Sequence, residues 1–158
     1  MKLHLIRHAK TEQFSPTEKD FDRQLMKRGK SQGKELSEFL LKTTISESHV
    51  HCSSAARTRE TLDYLMDNFQ SSPILFHKEL YLCSLDTYLK WIWSQNHGSD
   101  LVLIGHNFGI SDLANYFLDT VIEIRTAEYI CIEFPFHSWK ETSRATGVLT
   151  NQFRPSAE

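Results

Sequence analysis

The chain has 158 residues, 40% apolar and 24% charged, the proportions of an ordinary globular protein of one domain spanning residues 1–158, which sets aside fibres, disordered chains and disulfide miniproteins. Eighteen Lys and Arg against twenty Asp and Glu leave a net charge of −2, so no basic excess exists to hold a nucleic-acid backbone or an anionic membrane. No apolar run approaches the ~20 residues that span a bilayer, and the opening MKLHLIRHA lacks the apolar stretch of a signal peptide. A cytoplasmic protein is expected. Cys52, Cys83 and Cys131 form no C-x-x-C pair and are read as reduced, buried thiols.

Lys2 to Ile6 is a short apolar stretch followed by Arg7-His8 and then polar residues through Asp22, which predicts a buried strand emptying into a long loop. Gly29, Gly33, Leu36 and Leu40 recur at helical spacing, so a helix is expected from about Leu25 to Leu41. His49 to Ser53 reads as a second strand. Leu62, Leu65, Met66 and Phe69 then mark one face of a helix whose first turns hold Arg57 and Arg59, with Ser53-Ser54 suited to capping it. Pro73 to Phe76 is a weaker third strand, and Leu85, Tyr88, Leu89, Ile92 and Trp93 give an amphipathic helix. Leu101 to Ile104 is the most apolar strand. Gly105-His106-Asn107 follows it, then a helical stripe of Ile110, Leu113, Ala114, Phe117 and Leu118 beginning near Ser111. From Thr120 the pattern alternates, with Ile130, Ile132 and Phe134 on one face, polar residues 137–146, and a last strand at Val148 to Phe153. Strand-helix alternation of this kind predicts an α/β domain: a three-layer α/β/α sandwich with a mainly parallel central sheet and an antiparallel C-terminal edge.

In open α/β sheets ligands bind beyond the carboxyl ends of the strands. The first strand delivers Arg7 and His8 there, the second Ser53, Ser54 and Arg57, and the fourth His106 and Asn107. Two guanidinium groups and two helix starts suit a phosphoryl group, which arginine grips bidentately. Two imidazoles add reactivity, because a neutral imidazole is a nucleophile at physiological pH. No G-x-x-x-x-G-K-[ST] or G-x-G-x-x-G loop, no H-E-x-x-H, no zinc spacing and no Asp cluster occurs, so the expected chemistry is phosphoryl transfer without a metal or cofactor.

These residues resemble the histidine phosphatase superfamily, and within it the short SixA-type phosphohistidine phosphatases. LHLIRHAKTE is similar to the superfamily's R-H motif, which implies that His8 is phosphorylated during turnover and that Arg7 binds phosphate. FDRQLMKRGK resembles R-P-L-x-x-x-G, with Gln24 where proline is usual. CSSAARTRETL resembles S-P-x-x-R-x-x-x-T, making Arg57 the second phosphate-binding arginine and placing Thr61 at the threonine. KELYLCSLDTYL resembles E-L-Y-x-A-S, and LVLIGHNFGIS resembles G-H-N-P-G, which makes His106 the second catalytic histidine with Phe108 in the proline position. FRPS is similar to the family's terminal R-P-K segment. The resemblance implies a phosphatase working through a phosphohistidine on His8. Its expected partner is a phosphorylated protein carrying phosphohistidine, in signalling; the alternatives are a small phosphomonoester, or a catalytically weak phosphoryl-binding module.

For the proton donor, Glu79 after the third strand is expected by position, with Glu12, Asp20 and Asp22 in the first loop as competitors. Arg7, Arg57, His106, Asn107 and Ser54 are the expected substrate contacts, although helix capping or turn chemistry explains Ser53, Ser54 and Asn107 equally well. His49 and His51 share a strand face without further ligands nearby and read as packing. Trp91, Trp93, Tyr88 and Phe117 lie at core spacing.

Overall fold

A computed structural model describes residues 1–156. Ten regular elements alternate along the chain: β1 (Lys2–Arg7), α1 (Lys27–Leu40), β2 (His49–Ser53), α2 (Ala56–Asp63), β3 (Ile74–His77), α3 (Leu85–Trp93), β4 (Leu101–Gly105), α4 (Gly109–Leu118), β5 (Tyr129–Glu133) and β6 (Val148–Phe153). The strands make one sheet in the order β3-β2-β4-β1-β5-β6. The first four in that order pair in parallel, and β1-β5 and β5-β6 pair antiparallel.

Side chains alternate across a strand, so each buried strand feeds two cores. Leu3, Leu5, Leu101, Leu103, Ile130 and Ile132 meet Tyr88 and Ile92 of α3 and Leu113 and Phe117 of α4. Ile6, Val50, Val102, Ile104 and Tyr129 face the other way, onto Leu36 and Leu40 of α1 and Leu62 of α2. The helices therefore cover both faces of the sheet, two on each side.

Several boundaries differ from the sequence reading. α1 starts at Lys27 rather than Leu25 because Leu25 is buried in an isolated antiparallel bridge with Thr11, and its N–H donates to the Glu60 carboxylate (2.7 Å). α2 ends at Asp63, and Leu65 and Phe69 reach the core through a 3-10 turn, Met66–Phe69, while Met66 is exposed. α4 begins at Gly109, before Ser111. Ser53 and Ser54 do not cap α2; Ala55 occupies that position without a side-chain bond. The stretch 137–146 is not merely polar, since Trp139 is wholly buried and its indole donates to the Ser99 carbonyl (3.0 Å). Cys52 and Cys131 are buried free thiols; Cys83 is only half-buried.

Close backbone approach fixes two glycines near the strand ends. A Cβ on Gly29 would lie 2.0 Å from the Lys10 carbonyl oxygen, so α1 can seat against the loop after β1 only with glycine there. A Cβ on Gly109 would lie 2.2 Å from the Cys83 carbonyl oxygen, which lets α4 begin directly beneath the segment before α3. Among the described residues no helix is long and apolar enough to cross a membrane.

Candidate active site

β2, β4 and β1 are adjacent in the sheet, and all three point their carboxyl ends the same way. Arg7 pairs with Gly105 across β1 and β4, which brings His8 and His106 side by side with ring centroids 5.3 Å apart. Arg7, His8, Arg57, His106 and Asn107 line one cavity of about 300 Å³ at that edge, together with Lys10, Asp20 and Arg23. Larger clefts of about 430 and 580 Å³ lie elsewhere and contain none of the four strand-end Arg and His residues.

The backbone around His8 is heavily tied. Its N–H donates to the Gly105 carbonyl (3.1 Å), and the Arg7 and His8 carbonyls both accept from Ala127 N–H. The Nδ1 of His8 lies 2.8 Å from the Ala9 carbonyl oxygen. A carbonyl can only accept, so Nδ1 carries the hydrogen and Nε2 keeps its lone pair. Burial, opposed by the Ala9 hydrogen bond and reinforced by His106, Arg57 and Arg7, pushes His8 well below an ordinary histidine, so it stays neutral. That is the tautomer and the charge state of a nucleophile. Ala9 is itself held by α2: its N–H donates to Thr61 Oγ1 (2.9 Å), whose hydroxyl donates to the Arg57 carbonyl (2.7 Å).

His106 Nε2 shares a hydrogen with Ser53 Oγ at 2.7 Å, and its Nδ1 is buried with no partner in the protein. Burial and the two arginines lower its pKa to about 3. Arg7 donates from Nη1 to the Ile124 carbonyl (2.9 Å), and its Nε is buried without a partner. Asn107 donates to the same carbonyl (3.0 Å) and accepts from Ser111 (2.7 Å), so it braces the loop under Arg7 while lining the cavity. Phe108 follows through a cis peptide bond and is 75% exposed.

Arg57 is buried and held by Asp20. Its Nη1 donates to the Asp20 carbonyl (2.8 Å) and its Nη2 to the Asp20 carboxylate (3.0 Å). Arg23 (3.0 Å) and the Tyr81 hydroxyl donate to the same carboxylate. Burial works to raise the Asp20 carboxyl, but the hydrogen bonds from Tyr81, Arg23 and Arg57 outweigh it and hold Asp20 well below the usual carboxylate range. Asp20 is an anion clamped where a phosphoryl oxygen would meet Arg57. The Tyr81 ring also meets the His106 ring edge to face (5.4 Å), and the Arg57 guanidinium lies over its face (5.6 Å).

The structure thus brings Arg7, His8, Arg57, His106 and Asn107 together and leaves two expected residues outside. Glu79 is exposed, its carboxylate meets His77 Nδ1 (3.2 Å), and it does not line the cavity. Ser54 turns its backbone to His77 and Arg59, and Ser53 is the serine that reaches His106. Of the competing acids Asp20 lines the cavity, whereas Glu12 and Asp22 do not. Tyr81 was missed as a site residue, although KELYLCS carried its signal. Among the described residues no cluster of His, Cys, Asp and Glu could hold a metal ion.

A family model for the histidine phosphatase superfamily (branch 1) matches residues 3–82, from β1 through Tyr81 and Leu82. An uncharacterised chloroplastic protein of Arabidopsis thaliana is 26% identical over 157 residues, 92% of this chain and 72% of that protein. The chain superposes on a protein of Agrobacterium tumefaciens assigned as the phosphohistidine phosphatase SixA with a TM-score of 0.84 and 22% identity, covering 98% of this chain and 97% of that one. It superposes on the protein histidine phosphatase SixA complexed with tungstate with a TM-score of 0.77 and 18% identity, covering 96% of each chain.

Proposed function

The chain belongs to the histidine phosphatase superfamily, and from that premise we propose that it removes phosphate from phosphohistidine in proteins, with His8 as the nucleophile. The observation that carries the substrate class is the state of the acid. Asp20 is the carboxyl group that lines the cavity among the described residues, and it is held ionised by Arg57, Arg23 and Tyr81. An alkoxide leaving group needs a proton as its P–O bond breaks. A phosphoimidazole already protonated on its second ring nitrogen leaves as neutral imidazole and needs none, so a site without a protonated acid suits phosphohistidine.

In the proposed first step His8 Nε2 attacks phosphorus in line, a P–Nε2 bond forms, and the P–N bond of the substrate breaks. Arg7, Arg57 and His106 hold the three equatorial oxygens and offset their charge. Arg57 makes this contact by exchanging its bonds to Asp20 for bonds to the phosphoryl group. Asp20, freed and ionised, then accepts a proton from the water that displaces phosphate from His8 and restores the neutral imidazole. The likeness in fold to SixA structures supports this reading.

The test measures phosphate release in EDTA from a phosphohistidine-bearing protein and from an alkyl phosphate, with wild type beside His8→Ala. Wild type is expected to favour the phosphohistidine substrate in kcat/KM by about a hundredfold or more, the scale of the missing general acid, and His8→Ala to release nothing from either. Equal use of the alkyl phosphate overturns the substrate class; equal release by His8→Ala overturns the nucleophile.

A further inference from the structure

We infer that a second anion-binding subsite lies beside the catalytic cavity and takes a further anionic group of the same substrate; the inference rests on the phosphatase reading above. A cavity of about 270 Å³ adjoins the first and shares Arg7, Lys10 and Thr126 with it. It adds Arg28 from α1, Arg125 from the loop before β5 and Arg154 after β6, with Glu123 as its one lining carboxylate among the described residues. Five cations therefore meet two carboxylates, Glu123 in the lining and Glu128 behind Arg154, on a chain whose net charge is −2, so the patch is placed rather than inherited from composition.

The subsite is built. Glu128 is 1% exposed and accepts from Arg154 Nε (3.2 Å) and Nη2 (3.1 Å), which fixes that guanidinium. The same carboxylate accepts from the Arg125 backbone N–H (2.7 Å). Gln32 ties the shared wall, accepting from Lys10 N–H (3.0 Å) and donating to Thr126 (3.2 Å). Arg28, Arg125 and Arg154 have no part in holding a phosphoryl group on His8, because none of them lines the catalytic cavity. Guanidinium groups grip carboxylates and phosphates alike. On a protein substrate the matching group is an Asp or Glu beside the phosphohistidine; on a small substrate it is a second phosphoryl group.

Binding to the His8→Ala chain separates this inference from catalysis. Two pairs of probes are compared: phosphohistidine peptides flanked by Glu or by Gln, and propanediol bisphosphate or monophosphate. The doubly anionic member of one pair is expected to bind about fivefold tighter, from exposed charge pairs of ordinary strength. Which pair shows the difference names the source. Adding Arg28→Ala and Arg125→Ala removes the advantage, raised salt weakens it, and Arg125→Glu turns the peptide preference toward a Lys-flanked sequence. Equal binding within both pairs, or a preference that survives loss of Arg28 and Arg125, overturns the subsite. Failure of the phosphatase reading shows instead as intact preference with no phosphate released by wild type.

Discussion

Asp20 and Arg57 set the residue-scale problem, because the arginine expected to grip a phosphoryl group already holds a carboxylate. The carboxylate is nearly half exposed, so solvent screens the pair and its strength is that of a surface contact, roughly 0.2–1 kcal/mol. Phosphate must compete with it. Asp20→Asn is therefore expected to lower the inhibition constant of inorganic phosphate by about two- to fivefold, and, because it removes the proposed base for water, to slow dephosphorylation of His8. Product-inhibition assays check the first effect and single-turnover decay of the phosphoenzyme the second; weaker phosphate inhibition in the variant would sink the competition. Arg7, His8, Arg57 and His106 were legible in the sequence because Arg7 ends β1, His8 and His106 follow β1 and β4, and Arg57 lies in the first turn of the helix after β2, so the sheet alone decides that they converge. The acid was not. Glu79 also follows a strand, but β3 is the outermost strand of the sheet and Glu79 turns to His77. Asp20 belongs to a loop without periodicity, and only Arg57, Arg23 and Tyr81 draw its carboxylate inward.

α2 carries more of the site than Arg57 alone. Its Thr61 hydroxyl binds the Ala9 N–H, and Ala9 in turn holds the tautomer of His8, so one helix positions both Arg57 and the proposed nucleophile. Thr61→Val keeps the shape but strands a buried N–H, a loss of about 1–3 kcal/mol in stability. The loosened Ala9 carbonyl is expected to lower kcat with little change in KM, since Arg57 stays in place; urea denaturation and steady-state kinetics read the two effects, and a loss of stability at unchanged kcat would leave Thr61 a purely structural residue. A 3-10 turn continues to coil the chain in the same sense as an α-helix, at about three residues per turn. This is why Leu62, Leu65 and Phe69 looked like one continuous helix, while the chain in fact leaves α2 at Asp63 and still buries all three. The start of α1 was hidden for a related reason. Leu25 fits the apolar stripe, yet its pairing with Thr11 satisfies the same burial in extended form.

Across the whole molecule the buried histidines make stability depend on pH. Burial lowers His4 to about 4 and His51 and His106 to about 3, and pushes His8 well down. In the unfolded chain each returns to about 6.5. Between about pH 6.5 and about pH 4 the unfolded state thus binds more protons than the folded one, and stability falls as pH falls. Asp20 works in a separate window, since its lowered pKa contributes stability above the unfolded carboxylate value and loses it only below about pH 4. From about pH 7.5 to about pH 5.5 each of His4, His51 and His106 costs a little over ~1 kcal/mol, so these three remove roughly 4 kcal/mol from a total that is typically about 5–15, and His8 works in the same direction. The folded protein does not share this trend, because His8 and His106 stay neutral throughout that range and the proposed nucleophile is not titrated. Urea midpoints are therefore expected to drop steeply from neutral pH to pH 5.5, while any activity lost there follows the unfolded fraction. His4→Gln leaves Tyr129 a hydrogen-bonding partner in place of the present 2.9 Å contact but cannot take up a proton, and should shed about one proton's worth of the slope. A flat stability profile, or an unchanged slope in His4→Gln, would show that the buried histidines are already matched by protons elsewhere in the fold.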